Sequence, residues 1–191
     1  MQDEAPCEFP ERKRVPVPIT RLNHAVLYVR DLERSLAFYQ EVLGFHRLPL
    51  GFPGAAFLRA PGSDNDHDLG LFEMGDRAGP SPAGRSAVGL YHLAWEDDTL
   101  QELARLAGVL SARGALSGAS DHGTTKSLYG ADPDGIQFEV AWLVPTDLLD
   151  DDARRASARI ERLDIAREKK RYGPTTPGGG GRAKVSSGGV A

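Results

Sequence analysis

The run His122-Gly123-Thr124-Thr125-Lys126-Ser127-Leu128-Tyr129-Gly130-Ala131-Asp132-Pro133-Asp134-Gly135-Ile136-Gln137-Phe138-Glu139 reads as strand, tight turn, strand. Ser127-Leu128-Tyr129 is β-prone. In Asp132-Pro133-Asp134-Gly135, proline pre-sets φ and glycine is free to take φ > 0, which is turn chemistry. Residues 136–142 then alternate, with Ile136, Phe138 and Val140 on one face and Gln137, Glu139 and Ala141 on the other. Glu139 therefore falls mid-strand among residues apolar enough to be buried. A lone buried carboxylate is costly, so this one calls for a cation or a hydrogen-bond partner.

Working outward from that hairpin, residues 88–145 read as one β-α-β-β-β unit. Leu90-Tyr91-His92-Leu93-Ala94-Trp95 is a strand, Thr99 an N-cap, and Leu100, Leu103, Ala107 and Leu110 a helical stripe ended by Gly114. A weak strand near residues 115–117 leads into the hairpin. Residues 20–75 show the same order. A buried strand over 22–29 is followed by an Asp31 N-cap and a stripe of Leu32, Leu36, Tyr39 and Leu43, with Gly44 as the stop. Strands follow over 45–50, 55–59 and 67–73. A shift of 68 residues maps His24 onto His92, Asp31 onto Thr99 and Leu32 onto Leu100, an internal duplication. The expected fold is α+β: two tandem βαβββ modules forming an open, mixed, barrel-like cleft.

The flanks are of another character. Residues 1–19 carry four prolines and read as a flexible arm, and residues 76–87 read as a Gly, Pro, Ser and Ala-rich linker. Over 146–172, acidic residues at the start and basic ones at the end suit the macrodipole of one surface helix. From Gly173 the Gly- and Ser-rich composition predicts a disordered tail.

Composition narrows the function. The 191 residues are 40% hydrophobic and 26% charged with a net charge of −4, as expected of a globular domain and not of a nucleic-acid binder. The one cysteine, Cys7, has no internal disulfide partner, and no apolar run approaches membrane-spanning length. These features give the expectation of a cytoplasmic protein that binds neither nucleic acid nor membrane. A homo-oligomer joined through unpaired sheet edges is compatible with so small a scaffold.

Each unit carries a histidine in its first strand, His24 and His92, and Glu139 lies on the last strand of the second unit. One histidine in an apolar strand is ordinarily a hydrogen-bonded core residue. Two at duplicated positions, with a carboxylate in register, favour a divalent metal with open coordination positions. Alternation in Leu69-Gly70-Leu71-Phe72-Glu73 puts the leucines toward the helix. The place of a fourth ligand then falls to Gly70, and Glu73 becomes a solvated strand-end charge. Phe72 is a candidate pocket wall, whereas alternation sets Tyr91 and Trp142 opposite His92 and Glu139. His46 receives no role.

The paired units, the two histidines and Tyr129-Gly130-Ala131-Asp132-Pro133-Asp134-Gly135-Ile136-Gln137-Phe138-Glu139 closely resemble the vicinal oxygen chelate superfamily of glyoxalase I, bleomycin-resistance proteins and extradiol catechol dioxygenases. The similarity covers about residues 20–144. Within it, the pattern is most similar to that of the extradiol enzymes. That resemblance implies an Fe(II) site (Mn(II) suits the same donors) held by His24, His92 and Glu139, with a small aromatic diol and O2 as substrates. It further implies His122 as acid–base group, Tyr129 as hydrogen-bond donor to the ring oxygen, and His67 beside dioxygen. His122 stands seventeen residues before Glu139, a spacing found in only part of the family, while Tyr129 stands ten before it, as the family pattern requires. Two alternatives stand beside this reading. One is a glyoxalase-like isomerase or epimerase, for which only Glu73 offers a fourth ligand. The other is a non-catalytic, small-molecule-sequestering resistance protein.

Overall fold

The computed structural model describes residues 19, 21–81, 87–156 and 159–179. The expected N-terminal arm (residue 19 apart), the middle of the linker and the end of the tail lie outside these residues. The first module contains β1 (Ala25–Val29), α1 (Leu32–Glu41), β2 (His46–Arg47), β3 (Ala55–Arg59) and β4 (Leu69–Glu73). The second contains β5 (Leu93–Glu96), α2 (Leu100–Ala112), β6 (Leu116–Asp121), β7 (Thr125–Ala131) and β8 (Gln137–Leu143). Each module forms an open sheet with its first and last strands parallel and the rest antiparallel. The orders are β1-β4-β3-β2 and β5-β8-β7-β6, the second extended at its β6 edge by β9 (Glu161–Arg162). No described helix is long and apolar enough to cross a membrane.

Both helices begin where their caps place them. Asp31 and Thr99 are extended, and their side chains accept from the N–H groups of Arg34 (2.9 Å) and Glu102 (3.2 Å). Glu73 is the exposed last residue of β4, as expected, and it has a further role. Its Oε2 accepts from the Leu32 N–H at 3.0 Å, satisfying a second orphan donor of α1. Parity had placed Glu73 on the leucines' side of β4, the side on which the α1 N-terminus lies. Leu69 and Leu71 are fully buried, in one cluster with Leu27, Val29, Leu32 and Leu36.

That cluster runs through both modules. Phe38 of α1 packs on Phe138 of β8 (5.9 Å between ring centroids), and Phe45 on Trp95 (5.1 Å). The Asp-Pro-Asp-Gly turn is part of the joint. Asp132 Oδ1 accepts from Asp134 N–H and Ile136 N–H, and Gly135 takes φ +82°. Asp132 Oδ2 accepts from the buried Tyr39 hydroxyl at 3.1 Å. Asp134 accepts from the Arg30 N–H (2.8 Å) and pairs with the Arg34 guanidinium (2.6 Å) at the start of α1. Desolvation raises the carboxyl pKa of Asp132 and, with the Asp132 charge beside it, the phenol pKa of Tyr39 well above its ordinary value.

The single helix expected over 146–172 is replaced by a 3-10 turn (Thr146–Leu148), α3 (Asp151–Ala156), β9 and α4 (Ile165–Tyr172). Two local interactions outcompete a continuous helix. Residues 161–162 pair with Ser120 and Asp121 at the open edge of β6, and Asp164 caps α4 by accepting from the Arg167 N–H at 3.0 Å. Ile160, between α3 and β9, is 76% exposed. Residues 173–179, expected to be disordered, are docked. The Trp142 indole donates to Thr176 O, Gly178 N–H to Asp98 O, and Gly179 N–H to Leu143 O.

Candidate metal centre

The first strands are shorter than expected, so His24 and His92 each stand one residue before the strand of their module, again at equivalent positions. Strand register defines the rest of the correspondence. In the second sheet Ala94 lies across from Glu139, and Glu139 across from Tyr129. In the first, Val26 lies across from Gly70, and Gly70 across from Phe57. Gly70 is therefore the counterpart of Glu139 and Phe57 that of Tyr129.

Four predicted residues of the second module come together. His92 Nε2 is 3.0 Å from Glu139 Oε2. The Tyr129 hydroxyl is 3.4 Å from Glu139 Oε1 and 2.8 Å from His122 Nε2. All four side chains are partly buried. Desolvation, followed by the nearby Glu139 charge, raises the Tyr129 phenol pKa, so Tyr129 holds its proton at neutral pH and acts as a donor. His24 and His67 form a second group, with ring centroids 4.4 Å apart and the Phe57 ring 5.0 Å from His67. Among the described residues, no three His, Cys, Asp or Glu side chains are gathered as a metal site, so His24 is not brought to the His92–Glu139 pair.

The donors nonetheless suit a divalent ion. Two ligands about 2.1 Å from one octahedral cation on adjacent positions lie roughly 3 Å apart, which is the separation of His92 Nε2 and Glu139 Oε2. His24 Nδ1 is 2.7 Å from Asn23 Oδ1. An amide oxygen only accepts, so Nδ1 is the donor in this contact and Nε2 is the atom left to face a metal. His92 Nδ1 is buried without a partner.

A cavity of about 390 Å³ lies between the modules, lined in part by Val26, Tyr28, Leu90, Tyr91, Ile136 and Gln137. Val26 and Tyr28 share one face of β1, and Gln137 shares the parity of Glu139 on β8. Tyr91 is the residue that alternation misjudged. Because β5 starts only at Leu93, alternation does not extend to Tyr91, and its ring stands 4.6 Å from that of His92. Trp142 is fully buried away from the site, as parity required.

Residues 21–140 match the model of the Glyoxalase/Bleomycin resistance protein/Dioxygenase superfamily. The chain belongs to that superfamily. A relative in it, the catechol-2,3-dioxygenase of Bacillus subtilis, is 35% identical over 121 residues, which is 63% of this chain and 41% of the relative. The chain thus spans about two fifths of that protein's length. A virulence protein of Salmonella typhimurium is 25% identical over 73% of this chain and 96% of its own. Among solved structures, a glyoxalase/dioxygenase from Nostoc punctiforme superposes with a TM-score of 0.55 at 25% identity, covering 66% of this chain and 92% of that one. A superfamily domain from Frankia sp. EAN1pec gives 0.54 at 26% identity, covering 64% and 91%. The superfamily accounts for the two modules, but α4 and residues 173–179 fall outside the matched segment.

Proposed function

We propose that the protein is an Fe(II)-dependent extradiol dioxygenase that cleaves the ring of a catecholic compound with O2. In this reading His24, His92 and Glu139 hold the metal, for which Mn(II) is the other ion suited to the same donors. The observation that carries it is the continuous chain His122–Tyr129–Glu139–His92, which links a candidate proton carrier to two candidate ligands through a protonated phenol. The similarity to a catechol-2,3-dioxygenase supports the substrate class.

Bound Fe(II) would supply Lewis acidity that lowers the pKa of a coordinated phenol, together with a position for dioxygen. The residues divide the remaining work. Glu139 supplies negative charge that offsets part of the cation's. Tyr129 donates a hydrogen bond from its hydroxyl to a substrate ring oxygen and so orients the diol. His122 takes the proton that the diol releases and later returns it, as an imidazole in contact with the Tyr129 hydroxyl can. His67, packed on His24, donates toward negative charge developing on oxygen beside that ligand. Tyr91, with its ring 4.6 Å from that of His92, would limit that ligand's access to water.

The isomerase alternative is weakened by the first module. Glycine holds the position equivalent to Glu139, and Glu73 is occupied as a helix cap. The test is anaerobic loading of the full chain with Fe(II), then metal analysis and oxygen uptake over a panel of catechols, with Glu139→Ala as control. One iron per chain and uptake that the variant abolishes are expected. Bound iron with no uptake on any catechol would sink the proposal.

A further inference from the structure

The most deeply buried charges of the molecule lie on the face of β7 opposite Tyr129. Lys126 is 1% exposed and Glu168, on α4, is fully buried. An ammonium in such a place is stable only if surrounded by acceptors. Lys126 Nζ hydrogen-bonds Asp121 Oδ1 at 2.5 Å and Gly123 O at 3.1 Å, and pairs with Glu168 Oε2 at 3.1 Å. Arg167 completes the cluster, bonding Asp121 Oδ2 at 3.1 Å and Glu168 Oε1 at 2.8 Å, so two cations face two anions. The Tyr172 ring lies 5.6 Å from the Lys126 ammonium.

The residues that Lys126 grips are the two flanking His122. Asp121 Oδ1 also accepts from the Gly123 N–H at 2.8 Å, and Gly123 takes φ +74°. The short turn joining β6 to β7 is thus tied on both sides of the histidine. Its own backbone bonds are few, His122 N–H to Thr125 O and Thr124 N–H to His122 O. Beyond these, the Val144 N–H just after β8 donates to Thr124 O at 2.9 Å, and a turn held by so few backbone bonds frays easily unless side chains add rigidity. Here that support comes from α4, which lies beyond the superfamily-matched segment.

We propose that Lys126 and Glu168 are positioning residues for His122. Through them α4 clamps the β6–β7 turn and keeps the imidazole 2.8 Å from the Tyr129 hydroxyl. Neither residue touches the candidate metal ligands. The consequence for turnover rests on the reading of His122 as the acid–base group: loosening the clamp lowers kcat on a catechol and leaves KM unchanged.

The experiment is amide hydrogen exchange with side-chain NMR on the full chain without added metal. It compares wild type, Glu168→Gln, and the double variant Lys126→Met with Glu168→Met, which removes the pair together and keeps a packed interior. The amides of His122, Gly123 and Thr124 are expected to exchange at least ~10-fold faster in either variant. The His122 ring resonances shift, those of His46 stay in place, and β1 and β4 keep their protection. Unchanged exchange and an unchanged His122 ring in both variants would overturn the proposal. So would a loss of protection by one common factor along the chain, which would make the cluster a matter of global stability. This measurement reads the clamp in a chain that consumes no oxygen, so its failure is distinguishable from failure of the dioxygenase reading.

Discussion

The two modules repeat one backbone and fill it with opposite chemistry. Across three adjacent strands the first module presents Val26, Gly70 and Phe57, and the second presents Ala94, Glu139 and Tyr129. The histidine just before the first strand is common to both. At the far end of that strand the first module has the buried Val29, whereas the second has Asp97, whose Oδ2 is buried without a partner. Duplication supplied a symmetric scaffold, and the polar groups were concentrated in one copy. A symmetric arrangement would hand a metal two carboxylates; this one offers a single carboxylate, which leaves room for a chelating substrate.

The strongest way to break the comparison is to give the second row the character of the first. Glu139→Ala is expected to abolish metal loading and lower oxygen uptake at least ~10³-fold, because it removes one of the three proposed donors and the charge that would attract the cation. Metal analysis of the folded variant checks it, and full metal retention would refute the ligand assignment. Tyr129→Phe copies Phe57 into the second module. It should retain the metal and lower kcat by ~10²–10³-fold, since only a proton donor is lost. A variant as fast as wild type would remove Tyr129 from the mechanism.

Asp97→Asn sharpens the contrast with Val29. Burial raises the Asp97 carboxyl to about 6 in the folded chain, against an ordinary value of 3.8. The native state therefore binds more protons between those values, and stability falls as pH rises through that window. The variant should flatten this dependence. Above pH 6 it should be more stable than wild type by about 1–2 kcal/mol, the full linkage value reduced for partial exposure. Denaturant melts at pH 4.5 and 7.5 decide it, and an equal pH slope in both proteins would show Asp97 to be unstressed.

The smallest effect is expected of Gly70→Ala. Its added Cβ would meet Phe57 Cε1 and Val26 Cγ2 at 3.4 Å, which the half-buried Phe57 ring and exposed Val26 can relieve. Glycine's entropic disadvantage in a strand works the other way, so the net change should stay within about 0.5 kcal/mol. A larger loss would mean that the glycine is held by packing.

The duplication was legible because its markers are local: the two caps, the two helical stripes, and histidines at one spacing. The parity that assigned Gly70 to the missing ligand position also held, although a gapless overlay at 68 residues would have set Glu139 against the buried Leu71. Helix capping by Glu73 was missed because it joins residues 41 positions apart and depends on the parallel pairing of β1 and β4. Tyr91 was misassigned because alternation was extended past the true start of β5. The C-terminal helix failed because charge and apolar stripe register a segment's own preferences and carry no signal of an open strand edge waiting on β6. His24 was expected beside His92 and Glu139 and is not brought to them, because their separation depends on how the modules are disposed, which no local pattern encodes.

The seven residues after α4 have a practical consequence. Trp142 is fully buried, its indole bonded to Thr176 O and its ring packed on Tyr172. The unit of homology therefore ends before the unit of folding does. A chain cut down to residues 21–140 would end β8 three residues early and lose Trp142 along with the strap that covers it, while a fusion partner joined after residue 179 would leave the described interior intact. Boundaries drawn from kinship and boundaries drawn from burial are different lines, and in this protein they are separated by two helices, a strand and a strap.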